Sequence, residues 1–138
     1  MKTFLAVVAV AASALLFYTF LYGLGGENRG EPGSTTVFIR LGSYREDAST
    51  TYDPPTVRVV LGVNNTVVWV NEDITVHDVT HEPCMYNEQG CIKTFKSKLL
   101  ETGESFAYTF TQPGRYGYRC SPHPWMRGKV VVEAGGRS

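Results

Sequence analysis

Tyr116-Gly117-Tyr118-Arg119-Cys120-Ser121-Pro122-His123-Pro124-Trp125-Met126-Arg127-Gly128-Lys129-Val130-Val131-Val132-Glu133 is the stretch that decides the fold. Tyr116 to Cys120 and Lys129 to Glu133 read as two short strands joined by a tight loop. On that loop Cys120, His123 and Met126 place a thiolate, an imidazole and a thioether with two residues between each and the next. Pro122 and Pro124 stand on either side of His123, and each fixes φ and removes a donor, which stiffens the loop. Thiolate and thioether favour Cu(I), and imidazole suits both copper oxidation states. Zinc in a closed structural site takes four strong donors, for which a thioether is a poor substitute. The fourth donor must come from elsewhere. Of the other two histidines, His77 is the better candidate, which leaves His81 as a loop histidine without a metal role.

Outward from the loop, the chain alternates apolar and polar residues in short runs separated by turn residues. Phe106, Tyr108 and Phe110 alternate in a strand predicted from Glu104 to Thr111, and Gln112-Pro113-Gly114-Arg115 turns the chain. Thr66 to Asn71 sets Val67, Trp69 and Asn71 on one side, and Thr56 to Leu61 sets Val57, Val59 and Leu61 on one face. Val37 to Leu41 is the first strand. No segment after residue 34 has a helical period. The pattern predicts an all-β fold, a Greek-key two-sheet β-sandwich of seven or eight strands. Trp69 and the series Phe106, Tyr108, Phe110, Tyr116 and Tyr118 are expected in its core rather than in an electron relay.

Two blocks carry a family resemblance. One is Thr66-Val67-Val68-Trp69-Val70-Asn71 with the following loop to His77, and the other is Thr109 to Glu133. Over residues 52 to 133 they resemble the cupredoxin family, most closely its amicyanin and plastocyanin branches. The resemblance implies a cupredoxin-like sandwich and one type 1 copper ion held by His77, Cys120, His123 and Met126. It implies a one-electron carrier rather than an enzyme, with weak, transient redox protein partners. Asp78, Ser121, Pro122 and Pro124 would support the ligands, with His123 reaching the surface and Trp125 on the docking rim around it. Asp78 departs from the family, which usually has asparagine there; an ionised carboxylate only accepts hydrogen bonds, so backbone donors or Ser121 must satisfy it. Two readings of this departure stand: its negative charge near copper lowers the potential, or the residue simply marks a different hydrogen bond. Two other copper functions are weighed against electron transfer. A copper enzyme acting on a small nitrogen oxide needs a further His-rich centre, and a copper-handling protein usually displays Met- and His-rich runs that this chain lacks.

Composition narrows the partners. Lys plus Arg and Asp plus Glu both number 13, so the chain has no net charge and no basic field for nucleic acid. Thr3 to Leu24 is an uncharged run of 22 residues, long enough as a helix to cross a bilayer. Residues 1–25 are expected to form a transmembrane anchor or a signal peptide cleaved near Gly23-Leu24-Gly25. Residues 26–34 are expected to be a linker, 35–134 the cupredoxin domain and 135–138 a loose tail. Either reading of the N-terminus puts the domain outside the cytoplasm: on the extracytoplasmic face of the membrane, or periplasmic or secreted. In that compartment Cys84 and Cys91, within an insert from Thr80 to Ile92, read as a disulfide. Two free thiols, or a second metal site with His81 and Met85, are the other readings of that segment.

Overall fold

The computed structural model describes residues 33–82 and 94–136. The apolar N-terminal run, Cys84 and Cys91 lie outside the described residues, and so do the expectations attached to them. The rest is all-β, with no helix among the described residues. Eight strands run in the order β1 (Ser34–Ile39), β2 (Tyr52–Asp53), β3 (Thr56–Val60), β4 (Thr66–Asn71), β5 (Thr80–His81), β6 (Ser105–Thr109), β7 (Gly114–Arg119) and β8 (Arg127–Glu133). They form two four-stranded sheets of order β2-β1-β4-β6 and β3-β8-β7-β5.

The alternating apolar residues explain how the sheets close on each other, because successive side chains in a strand point to opposite faces. In β4 the predicted inward side is correct: Val67, Trp69 and Asn71 are fully buried. Val57 and Val59 in β3, and Val130 and Val132 in β8, bury from the second sheet. Trp69 is the centre of the core, with its ring 5.3 Å from that of Tyr118, 5.7 Å from Phe95 and 5.8 Å from Phe106. Of the predicted core aromatics, Phe110 and Tyr118 are fully enclosed, while Phe106, Tyr108 and Tyr116 pack against the core from its margin.

Two pairings are parallel, β1 with β4 and β3 with β8. Both join strands distant in sequence, so the C-terminal strand after the Cys120 loop is locked in place by residues 56–60. The strand β1 begins at Ser34, ahead of the expected Val37, because Ser34 to Ile39 all find partners along Thr66 to Asn71.

One expectation is corrected at β5. Thr80 and His81, read as the start of a loop insert, form a strand that pairs with Arg119 and Tyr118 of β7. His81 is therefore not a loop histidine. It is buried, stacks on Phe95 at 5.1 Å, and its Nδ1 accepts from the N–H (3.1 Å) and faces the hydroxyl (3.0 Å) of Thr94.

Candidate metal centre

Two segments meet at one end of the sandwich. The first leaves β4 and carries His77. Asn71, at the end of β4, controls its path: the side-chain amide donates to the carbonyls of Thr75 and Leu100, both at 2.9 Å, and Oδ1 accepts from Asp73 N at 2.9 Å. His77 then pairs with Leu100 through both backbone groups, at 3.2 and 2.7 Å. The second segment is the loop between β7 and β8. It is closed by two backbone bonds, Cys120 N to Met126 O at 3.2 Å and Met126 N to His123 O at 2.9 Å. The loop is thus a folded unit before any ion is considered.

The side chains converge. Cys120 Sγ lies 3.6 Å from His77 Nδ1 and 3.5 Å from His123 Nδ1, and the two Nδ1 atoms are 3.1 Å apart. One ligand atom from each of the three lies within 4.8 Å of the others. Among the described residues this is the one group of three or more such side chains. Cys120, His77 and Met126 have no solvent exposure, while His123 is half-buried and Pro122 and Pro124 are exposed. Trp125 is half-buried, its ring 5.3 Å from that of His123, and its indole N–H donates to the Ser43 carbonyl at 3.1 Å. That bond ties the loop to residues 40–44 at the end of β1.

The electrostatics suit a soft cation. Burial pushes the His77 imidazole below its ordinary pKa, against the pull of Asp73, so the ring is a neutral donor. Burial pushes the Cys120 thiol up to about 11. A buried thiol of that kind gives up its proton when a cation takes its place. The backbone N–H of Asp78 approaches Sγ at 3.5 Å, which spreads negative charge off the sulfur. The donor set of one thiolate and two neutral imidazoles, with a buried methionine on the same loop, fits a type 1 copper ion.

Asp78 finds the partners its chemistry demands. Oδ1 accepts from the backbone N–H of Ser121 at 2.5 Å, and Oδ2 accepts from the Thr80 hydroxyl at 3.1 Å. The Thr80 and Ser121 hydroxyls are 3.2 Å apart. Asp78 therefore joins the two segments through the Ser121 N–H, with Thr80 as an additional donor.

Asp73 is a residue that the sequence reading passed over. Its Oδ2 sits 2.8 Å from His77 Nε2, fixing the ring so that Nδ1 faces Cys120. The same carboxylate accepts from Gly42 N at 2.9 Å, Ile74 N at 2.8 Å and Tyr44 N at 3.1 Å. Burial works against ionisation here, but the Gly42 N–H, His77 and the other two N–H groups outweigh it and hold the carboxyl below its ordinary range. Its signal was an acid four residues before a candidate ligand, the spacing at which a side chain can reach back to the second ring nitrogen.

Residues 41–133 match the family described as copper binding proteins, plastocyanin/azurin family. The chain belongs to that family. Within it, an amicyanin of Paracoccus versutus is 36% identical over 78 residues, 56% of each chain. Amicyanin-alpha of Methylorubrum extorquens is 34% identical over 101 residues, 73% of each chain. The chain thus spans little more than half the length of the Paracoccus relative. Among solved structures, a purple cupredoxin from Nitrosopumilus maritimus superposes with a TM-score of 0.64 at 31% identity, covering 72% of this chain and 100% of that one. A plastocyanin/azurin-family fold therefore surrounds the cluster, and copper is the metal its donors fit.

Proposed function

We propose that this protein is a one-electron carrier outside the cytoplasm, with a single type 1 copper held by His77, Cys120, His123 and Met126. The observation that carries the reading is the convergence of two imidazole Nδ1 atoms on one buried thiol from separate segments, at 3.6 and 3.5 Å. When bound, copper supplies a one-electron couple between Cu(I) and Cu(II). The protein's part is to keep the ligands where they are in both states. Asp73 orients His77, the two backbone bonds close the Cys120–Met126 loop, and Asp78 joins one segment to the other. Because these bonds exist among protein groups alone, little rearrangement is needed when the charge on the ion changes. Met126 would supply a weak thioether donor, which raises the potential relative to an oxygen donor.

Electrons are exchanged through His123. Its ring is the part of the cluster that reaches solvent, within a rim of Pro122, Pro124 and Trp125. A small rim without strong charge suits weak, short-lived docking to redox protein partners. The apolar run Thr3 to Leu24 supports delivery to, or anchoring at, the outer face of a membrane, and Cys84 and Cys91 suit a disulfide in that compartment. That a similar protein is described as a purple cupredoxin fits a coloured thiolate–copper centre here.

The test is a Cu(II) titration of the full-length protein, followed by visible absorption and EPR, and repeated with Cys120→Ser. The wild-type protein is expected to bind one copper with an intense visible charge-transfer band that the variant lacks. A colourless complex with the EPR pattern of square-planar nitrogen and oxygen ligation would refute the reading.

A further inference from the structure

Asp78 raises a question that its role as a tie does not answer. It is a carboxylate with 3% exposure, in contact with the Cys120 thiol through its own N–H at 3.5 Å. Buried carboxylates are usually paired with a cation, because an isolated charge is costly to keep out of water. Among the described residues no lysine or arginine pairs with Asp78; its partners are the Ser121 N–H and the Thr80 hydroxyl, both neutral. An amide at this position could accept from Ser121 N through its oxygen and donate to the Thr80 hydroxyl through its nitrogen. The bonding alone therefore does not call for a charge.

Asp73 makes a useful contrast. Its carboxylate is also buried, but three backbone N–H groups and the ring of His77 converge on it, and that is enough to hold an anion. Asp78 has half as many donors. What Asp78 has instead is its place: beside the thiol on which the two imidazoles converge, where a cation would sit.

We propose that Asp78 is a fixed counter-charge to the metal, which favours the doubly charged ion over the singly charged one and so sets the potential of the centre low for its ligand set. The inference rests on the copper reading above and adds what this chain does with the site. With neutral imidazoles, the thiolate of Cys120 and the carboxylate of Asp78 contribute two negative charges on neighbouring groups. Each interacts more strongly with Cu(II) than with Cu(I). Because Asp78 is enclosed, solvent and salt screen that interaction little. The carrier is thereby poised as a better electron donor than the same four ligands with an uncharged residue at position 78.

The experiment is a spectroelectrochemical titration of the copper-loaded full-length protein, Asp78→Asn and Asp78→Ser. Asp78→Asn keeps an oxygen that can accept from Ser121 N, Asp78→Ser keeps only a shorter hydroxyl, and both remove the charge. At a fixed ambient potential, the Cu(I) to Cu(II) ratio is expected to rise at least tenfold in each variant, about 59 mV for one electron. A ratio that stays within about twofold of wild type, roughly 18 mV, or that falls, in either folded variant would overturn the proposal. If one variant does not fold, the other decides. Failure of the wild-type protein to form a coloured one-copper centre would remove the electron-carrier reading itself. A coloured centre with an unmoved ratio removes only the role given to Asp78.

Discussion

Asp73 shows how much one side chain can hold at this site. Four hydrogen bonds end on its carboxylate, three from the backbone of residues 42, 44 and 74 and one from the His77 ring. Asp73→Ala leaves the buried His77 ring and three part-buried N–H groups without their acceptor. At about 1–3 kcal/mol for each unsatisfied buried group, with partial relief by water, the expected loss is roughly 3 kcal/mol in a urea melt. Freed of its acceptor, His77 can turn, so copper affinity should fall by roughly 10- to 100-fold in a competition titration. An unchanged affinity would mean that the backbone alone fixes the ring. At this scale the candidate ligands were legible from spacing and donor chemistry, because the loop carrying three of them is short and contiguous. Asp73 and Thr80 were not, since their roles depend on segments that only the tertiary fold brings together.

The elements around the site have their own sensitivities. Gly128, the second residue of β8, lies directly against the Tyr118 ring, so a methyl group there would collide with the ring's Cζ and Oη. Tyr118 is enclosed by Trp69 and Tyr52 and cannot step aside. Gly128→Ala is expected to cost about 1–3 kcal/mol, the usual range for overpacking, read as a lower unfolding midpoint. In β5, burial pushes His81 below its ordinary pKa. The unfolded chain then binds more protons than the folded one as pH falls below the unfolded histidine value of about 6.5. Stability therefore drops on acidification through that point and levels off only below the folded value. His77, shifted in the same direction, adds to this in the metal-free protein. His81→Phe should weaken the acid dependence of the melting temperature of the metal-free protein, while the loss of the Thr94 bond costs about 1 kcal/mol at neutral pH. A melting curve with the same acid dependence as wild type would show that His81 does not titrate on unfolding. The long strands were readable from alternation, but β2 and β5, two residues each, carry no period and arise only because β1 and β7 offer them an edge.

At the scale of the whole molecule, both parallel pairings and the proposed copper ligands link distant parts of the chain. Residues 71–78 lead from β4 of one sheet to β5 of the other, and 120–126 join β7 to β8 within the second sheet, so an ion bound to both segments would cross-link them. Binding to the folded state alone raises stability by mass action, so saturating copper at 100 times its dissociation constant should add about 2.7 kcal/mol. Thermal melts with and without copper measure this directly, and a midpoint that copper leaves unmoved would mean that it does not bind across both segments. The two-sheet architecture was legible because each strand's apolar face repeats every second residue. The order of strands was not, because pairing of β1 with β4 and of β3 with β8 is set by packing across the core rather than by any local pattern. The claim on which the rest stands is that one metal ion changes charge among preset ligands. X-ray absorption at the copper edge, recorded on the oxidised and reduced forms of the full-length protein, tests it most directly. The expected result is one short copper–sulfur distance and two imidazole nitrogens in both forms, with distances nearly unchanged. A ligand lost or gained on reduction, or a shell of nitrogen and oxygen without sulfur, would contradict it.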